Sequence, residues 1–125
     1  MRKFFICNHC KNIITKVDDK KVPVFCCGEK MQELVANSTE AATEKHLPVI
    51  TVNGNNVNIT VSSVSHPMLE EHHIEWVFLE TTNGGQLRYL NPNGKPEANF
   101  SLCDDEKVLG AYAYCNLHGL WYTEA

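Results

Sequence analysis

The sequence predicts an all-β protein, a short cysteine-stapled segment followed by a β-sandwich. Three observations predict it. Turn signals recur at roughly ten-residue spacing after residue 46, the rhythm of short strands packed into two sheets. The segments between those turns alternate apolar and polar side chains, the period of a half-buried strand. No stretch shows a convincing helical period, apart from one turn near residues 66–72.

Cysteines cluster at the start of the chain, at Cys7, Cys10, Cys26 and Cys27. This first segment is too short to hold a core unaided, so it needs a staple such as a metal. "ANSTEAATEK", residues 36–45, is polar, small and without strand pattern. The domain junction is placed there, near Ala36, giving domains 1–36 and 37–125. Beyond it, "PVITV" is a short apolar run and "NGNN" a turn. "NVNITVSS" puts Val57, Ile59 and Val61 on one face, and "HIEWVFLET" puts Ile74, Trp76 and Phe78 together. "TNGGQ" reads as a hairpin turn into "QLRYL", and "NPNGKPEANF" as a loop. "KVLGAYAYC" is rich in strand formers, and "LHGLWYT" finishes the chain.

The 125 residues are 43 % apolar and 21 % charged, enough for a packed core and unlike a disordered chain. The formal net charge of −4 argues against nonspecific nucleic-acid binding, which needs a basic footprint. An anionic substrate would need a local positive patch against that field. No stretch approaches the ~18 apolar residues of a membrane span. "MRKFFICNHC" lacks the long apolar region of a signal peptide. The expectation is a cytoplasmic protein without membrane contact, in which six cysteines point to metal or redox chemistry before disulfides.

Two constellations carry that chemistry. "CNHC" supplies Cys7 and Cys10 from one turn, and fifteen residues later "FCCGEKM" supplies the adjacent pair Cys26 and Cys27. Tetrahedral all-sulfur sites hold zinc or iron, and the spacing alone favours zinc. The adjacent pair should distort the tetrahedron, because neighbouring side chains diverge. His9, inside the knuckle, reads as solvent-facing. The second set is His46, His66, His72 or its neighbour His73, Cys115 and His118. Each histidine alone is an ordinary surface or core residue. Together, four imidazoles and one thiolate could surround one transition metal and leave a position open for substrate. Cys103 has no evident partner and reads as a buried small residue or an idle thiol.

"CNHC…FCCGEKM", "EKHLP", "HPMLEEHHIEW" and "CNLHGLW" together resemble desulfoferrodoxin, the two-iron form of superoxide reductase, over nearly the whole chain. The resemblance implies a desulforedoxin-like domain, residues 1–36, with iron bound by Cys7, Cys10, Cys26 and Cys27. It implies an immunoglobulin-like β-sandwich, residues 37–125, with a second iron that reduces superoxide to hydrogen peroxide. That iron would take His46, His66, His72 and His118 as equatorial ligands and Cys115 as the axial one. The family pattern has an aromatic residue after the histidine that follows the acidic pair. Alignment on Ile74 and Trp76 therefore selects His72 and puts His73 in the aromatic's place. Glu44 would be the carboxylate able to occupy the sixth position, and Lys45 the cation beside the open site. The resemblance further implies an electron donor such as rubredoxin and a homodimer. Two other readings stand beside it: an iron electron carrier without superoxide specificity, and a zinc knuckle joined to a binding sandwich.

Overall fold

The computed structural model describes residues 1–39, 45–62 and 66–125, and every regular element in it is a β-strand. The chain divides into two compact units, Met1–Val35 and Ala36–Ala125. No helix among the described residues is long and apolar enough to cross a membrane.

In the first unit, β1 (Phe4–Ile6) lies between β2 (Ile13–Thr15) and β5 (Gln32–Leu34), antiparallel to both. A two-residue hairpin joins β3 (Phe25–Cys26) to β4 (Glu29–Lys30). The buried apolar side chains are few: Phe4, Ile6, Cys7 and Met31.

The second unit is a sandwich of two antiparallel sheets. One contains β6 (Pro48–Asn53), β7 (Asn56–Val61) and β10 (Glu97–Ser101), in the order β10-β7-β6. The other contains β8 (Ile74–Thr81), β9 (Gly84–Tyr89), β11 (Val108–Cys115) and β12 (Gly119–Glu124), in the order β12-β11-β8-β9. Val57, Ile59 and Val61 fill the core from the first sheet, on the one face their alternation predicts. Ala98 and Phe100 join them from β10. Residues 97–101 are therefore strand where the sequence reads as loop. Their inward pair is short, but Ala98 sits opposite Ile59 and Phe100 opposite Val57, which binds the segment into the ladder.

The second sheet departs from simple alternation at two points, the first at Leu109, between the Val108–Thr81 and Gly110–Glu80 pairs, and the second near the candidate site. Tyr114 stands opposite Trp76, but Cys115 stands opposite Ile74, so Glu75 is an extra residue on β8. This bulge shifts Ile74 away from the face of Trp76 and Phe78 and into the core beside Val77, Leu79, Ala111, Ala113 and Cys115. The predicted grouping of Ile74 with Trp76 and Phe78 is corrected accordingly. Trp76 and Phe78 instead belong to an aromatic ladder on the other face. Trp76 stacks on Tyr114, Phe78 meets Tyr112 edge-on, and Tyr112 packs against Tyr122. Pairing resumes beyond the bulge, and the β8–β11 ladder ends at Cys115 and Ile74, where β11 turns.

Candidate metal centres

The first cysteine pair is made by a tight turn after β1. The Cys7 amide donates to the Asn12 carbonyl at 2.9 Å, and the Lys11 amide donates back to the Cys7 carbonyl at 2.9 Å. The Cys10 amide points at the Cys7 sulfur, 3.5 Å away. The second pair is made by the β3–β4 hairpin, whose loop residues Cys27 and Gly28 both have positive φ, 55° and 75°. A two-residue loop with both residues left-handed matches the twist of its strands, which is why glycine stands second. The left-handed Cys27 also turns its thiol back toward that of Cys26. Adjacent cysteines thus converge where extended backbone would splay them apart. The ligand sulfurs of Cys7, Cys10, Cys26 and Cys27 all lie within 4.8 Å of one another, and none is in a disulfide. His9 is exposed and outside the group.

The titration of these thiols shows the strain of crowding. The Cys10 amide, first among several donors, lowers the Cys7 thiol to about 6. Cys27, sharing its surroundings first with Cys10 and then with Cys7, is pushed up to about 12. Four thiolates cannot all ionise at this spacing without a cation between them, and a thiophilic metal is the cation that suits four sulfurs.

The second group gathers segments far apart in sequence. His46 precedes β6, His66 follows β7, His72 lies just before β8, Cys115 ends β11, and His118 sits in the β11–β12 turn. Their donor atoms all lie within 4.8 Å of one another. The imidazoles form a closed ring of edge-to-face neighbours. His46 meets His66 with centroids 4.6 Å apart, His66 meets His72 at 4.8 Å, His72 meets His118 at 5.0 Å, and His118 meets His46 at 4.8 Å. Each ring stands 74–87° to the next. His46 Nε2 and His118 Nδ1 approach to 3.0 Å, and His118 Nδ1 lies 3.9 Å from the Cys115 sulfur.

The donor chemistry of this group fits a transition metal. His66 donates its Nδ1–H to the Pro67 carbonyl at 2.6 Å, which fixes the tautomer and leaves Nε2 as a lone-pair donor. That Nε2, and the Nε2 of His72, are buried without any hydrogen-bond partner. Buried polar atoms are satisfied almost everywhere in proteins, so two orphans aimed into one cluster mark a missing ligand. Burial also lowers the His66 pKa to about 4 and depresses that of His72, so both rings are held neutral, the form that binds metal. Cys115 is fully buried, and desolvation raises its thiol, while the backbone N–H groups of Leu117 and His118 oppose that rise. These two amides are the sulfur's hydrogen-bond donors.

His72 rather than His73 enters the group. The His73 ring turns away and donates Nδ1–H to the Leu69 carbonyl at 2.9 Å. Lys45 is exposed next to His46, and its charge is among those that lower the His72 pKa. Glu44 lies outside the described residues. Cys103 is exposed and belongs to neither group, so the buried reading of it is set aside. Two residues with a part in the site escaped the sequence reading. Trp121 stacks on His46, with centroids 4.8 Å apart, and donates its Nε1–H to the His118 carbonyl at 3.1 Å. Asn116, between Cys115 and His118, bonds to the loop that carries His72.

A family model for desulfoferrodoxin matches residues 38–124. The chain belongs to the desulfoferrodoxin family. A desulfoferrodoxin from Nitratidesulfovibrio vulgaris is 40 % identical over 123 residues, covering 98 % of this chain and 96 % of the relative. The crystal structure of a superoxide reductase from Treponema pallidum is 39 % identical, covers 99 % of both chains and has a TM-score of 0.85. A one-iron superoxide reductase from Giardia intestinalis is 40 % identical, with a TM-score of 0.53, and covers 66 % of this chain and all of its own. Relatives thus match nearly the whole chain, and a shorter protein matches about two thirds of it.

Proposed function

We propose that this desulfoferrodoxin is a superoxide reductase, with iron at both centres and catalysis at the histidine and cysteine group. The observation that carries the reading is the closed ring of four imidazoles, two with orphaned buried nitrogens, next to a fully buried thiol. In this reading His46, His66, His72, His118 and Cys115 hold the catalytic iron, and Cys7, Cys10, Cys26 and Cys27 hold the other. Residues 1–36 then form the four-cysteine domain and residues 37–125 the catalytic one. The electron donor is a small carrier of the rubredoxin kind, the active form a homodimer, and the setting the reducing cytoplasm, where six free thiols persist.

Ferrous iron, when bound, would supply the one electron that superoxide needs, with two protons, to become hydrogen peroxide. The chain supplies the rest. With His46, His66, His72, His118 and Cys115 as its ligands, an iron would have one position open to a small anion. The amides of Leu117 and His118 donate to the Cys115 sulfur and temper its electron donation. The exposed Lys45 ammonium counters the acidic field of the protein and draws superoxide toward the site. The same ammonium, through water, would deliver a proton to the product. Assignment of Glu44 as the carboxylate that closes the open position rests on its "EK" motif alone.

The test is anaerobic stopped-flow mixing of the reduced, iron-loaded protein with pulsed superoxide, with peroxide counted at the end. Fast oxidation with about one peroxide per superoxide is expected, as the one-electron balance requires. Cys115→Ser should abolish the fast phase. Lys45→Ala should slow the second-order rate about 10-fold, the lower end of local electrostatic steering. No reaction in iron-replete wild type would sink the enzyme reading and leave an electron carrier.

A further inference from the structure

His72 reaches the metal group on a loop with little regular structure of its own. Among the described residues, the backbone pairing at His72 is a small internal bridge, in which His72 and Leu69 exchange amide–carbonyl bonds at 3.1 and 2.9 Å. The His73 ring braces the same loop through the Leu69 carbonyl. These bonds hold the loop to itself, and none of them fixes it against Cys115 or His118. The regular ladder does not reach His72, because the β8–β11 pairing stops two residues away, at Ile74 and Cys115.

Asn116 bridges that gap with three hydrogen bonds. Its own amide donates to the His73 carbonyl at 3.2 Å. Its side-chain oxygen accepts from the His73 amide at 2.9 Å. Its side-chain nitrogen donates to the Glu71 carbonyl at 3.0 Å. The partners, Glu71 and His73, are the residues on either side of His72. The asparagine amide carries one acceptor and one donor at the spacing of a peptide group, so its side chain carries the pairing past the backbone bond at His73 to the far side of His72.

We infer that Asn116 is a positioning residue that sets His72 in register with Cys115 and His118. Asn116 lies in the same tight turn as those two donors, so movement of the turn carries the His72 loop with it. A metal site tolerates misplacement of only about 0.5 Å before its ligands fall out of productive geometry. Loss of the clamp frees His72 while leaving the other three imidazoles and the thiol in place. The site would then hold its metal through a looser fourth nitrogen, and the metal–sulfur bond would change in compensation.

The inference rests on the metal assignment above, and the experiment separates the two. Iron-loaded, oxidised full-length wild type, Asn116→Ala and Asn116→Asp are challenged with excess EDTA. The thiolate-to-iron absorption of the histidine and cysteine centre and its EPR signal are followed. The four-cysteine centre in the same chain reports folding and loading. Asn116→Ala should lose iron from the histidine and cysteine centre about 10- to 100-fold faster, the usual effect of removing an outer-shell partner, with a shifted absorption band. Asn116→Asp keeps the acceptor for the His73 amide but has no donor for Glu71, and should fall between alanine and wild type. A wild-type band and wild-type retention in Asn116→Ala would overturn the inference, even if the unfolding midpoint fell, since that is what a merely structural residue does. Should Asn116→Ala not fold, the same two readouts on Asn116→Asp decide. Absence of the histidine and cysteine centre's own thiolate-to-iron band in wild type whose four-cysteine centre is loaded would overturn the metal assignment itself, and the inference with it.

Discussion

Trp121 touches two of the five donors at once, through its ring face on His46 and its N–H on the carbonyl of His118. It is 2 % exposed, so both its area and its bond count toward stability. Trp121→Phe keeps most of the apolar surface and a ring for His46 to lie against. It should cost about 1–2 kcal/mol, the hydrogen bond plus a little lost packing. Trp121→Ala opens a cavity and should cost about 3–5 kcal/mol. Urea unfolding of the metal-free protein, followed by circular dichroism, measures both. Equal costs would mean that the indole N–H and the stack do no separate work. The residues of the two candidate metal groups were readable in the sequence, because cysteine and histidine in such combination have few other uses. Trp121 and Asn116 were not. An asparagine or a tryptophan acts through whatever it meets, and Asn116 meets residues more than forty positions upstream.

At the scale of the strand, β11 runs between β8 and β12 and carries Gly110 under the Tyr122 ring. A Cβ built there runs into Tyr122, and one at Gly85 runs into the Phe78 ring. These two glycines let aromatic side chains lie flat across the sheet. Gly110→Ala and Gly85→Ala should each cost about 1–3 kcal/mol through displaced rings, despite the better strand propensity of alanine. Denaturant midpoints test this, and stabilisation by either change would show that the rings move freely. Alternation made β7 legible because Val57, Ile59 and Val61 run without interruption. The same rule misplaced Ile74, since a period of two cannot register the extra residue at Glu75. In the first unit, strands of two or three residues are too short to show any period, and only the cysteines announced the structure.

The two units differ in how much of their stability a bound metal would have to supply. The sandwich buries a continuous core, from Val57 through Cys115, in which each fully buried Val, Ile or Leu side chain contributes about 1.5–3 kcal/mol. That is sufficient for a domain of its length without help. The first unit buries Phe4, Ile6 and Met31, and its other buried apolar residue is Cys7, itself one of the four sulfurs. Three buried side chains are too few to order a unit of this length unaided. Metal–thiolate bonds at the four cysteines would supply what is missing, and their formation would then be the folding free energy of that unit. Removing metal with a strong chelator under reducing conditions should therefore unfold Met1–Val35 and leave the sheets of Ala36–Ala125 standing. Amide exchange reads this directly, with protection lost in β1, β2 and β5 and retained in β7, β8 and β11. Cys10→Ser, which removes one exposed sulfur, should reproduce the first-unit loss without touching the second group. Retained protection in β1 after complete metal removal would show that the small sheet holds itself, and that the four cysteines serve electron transfer alone.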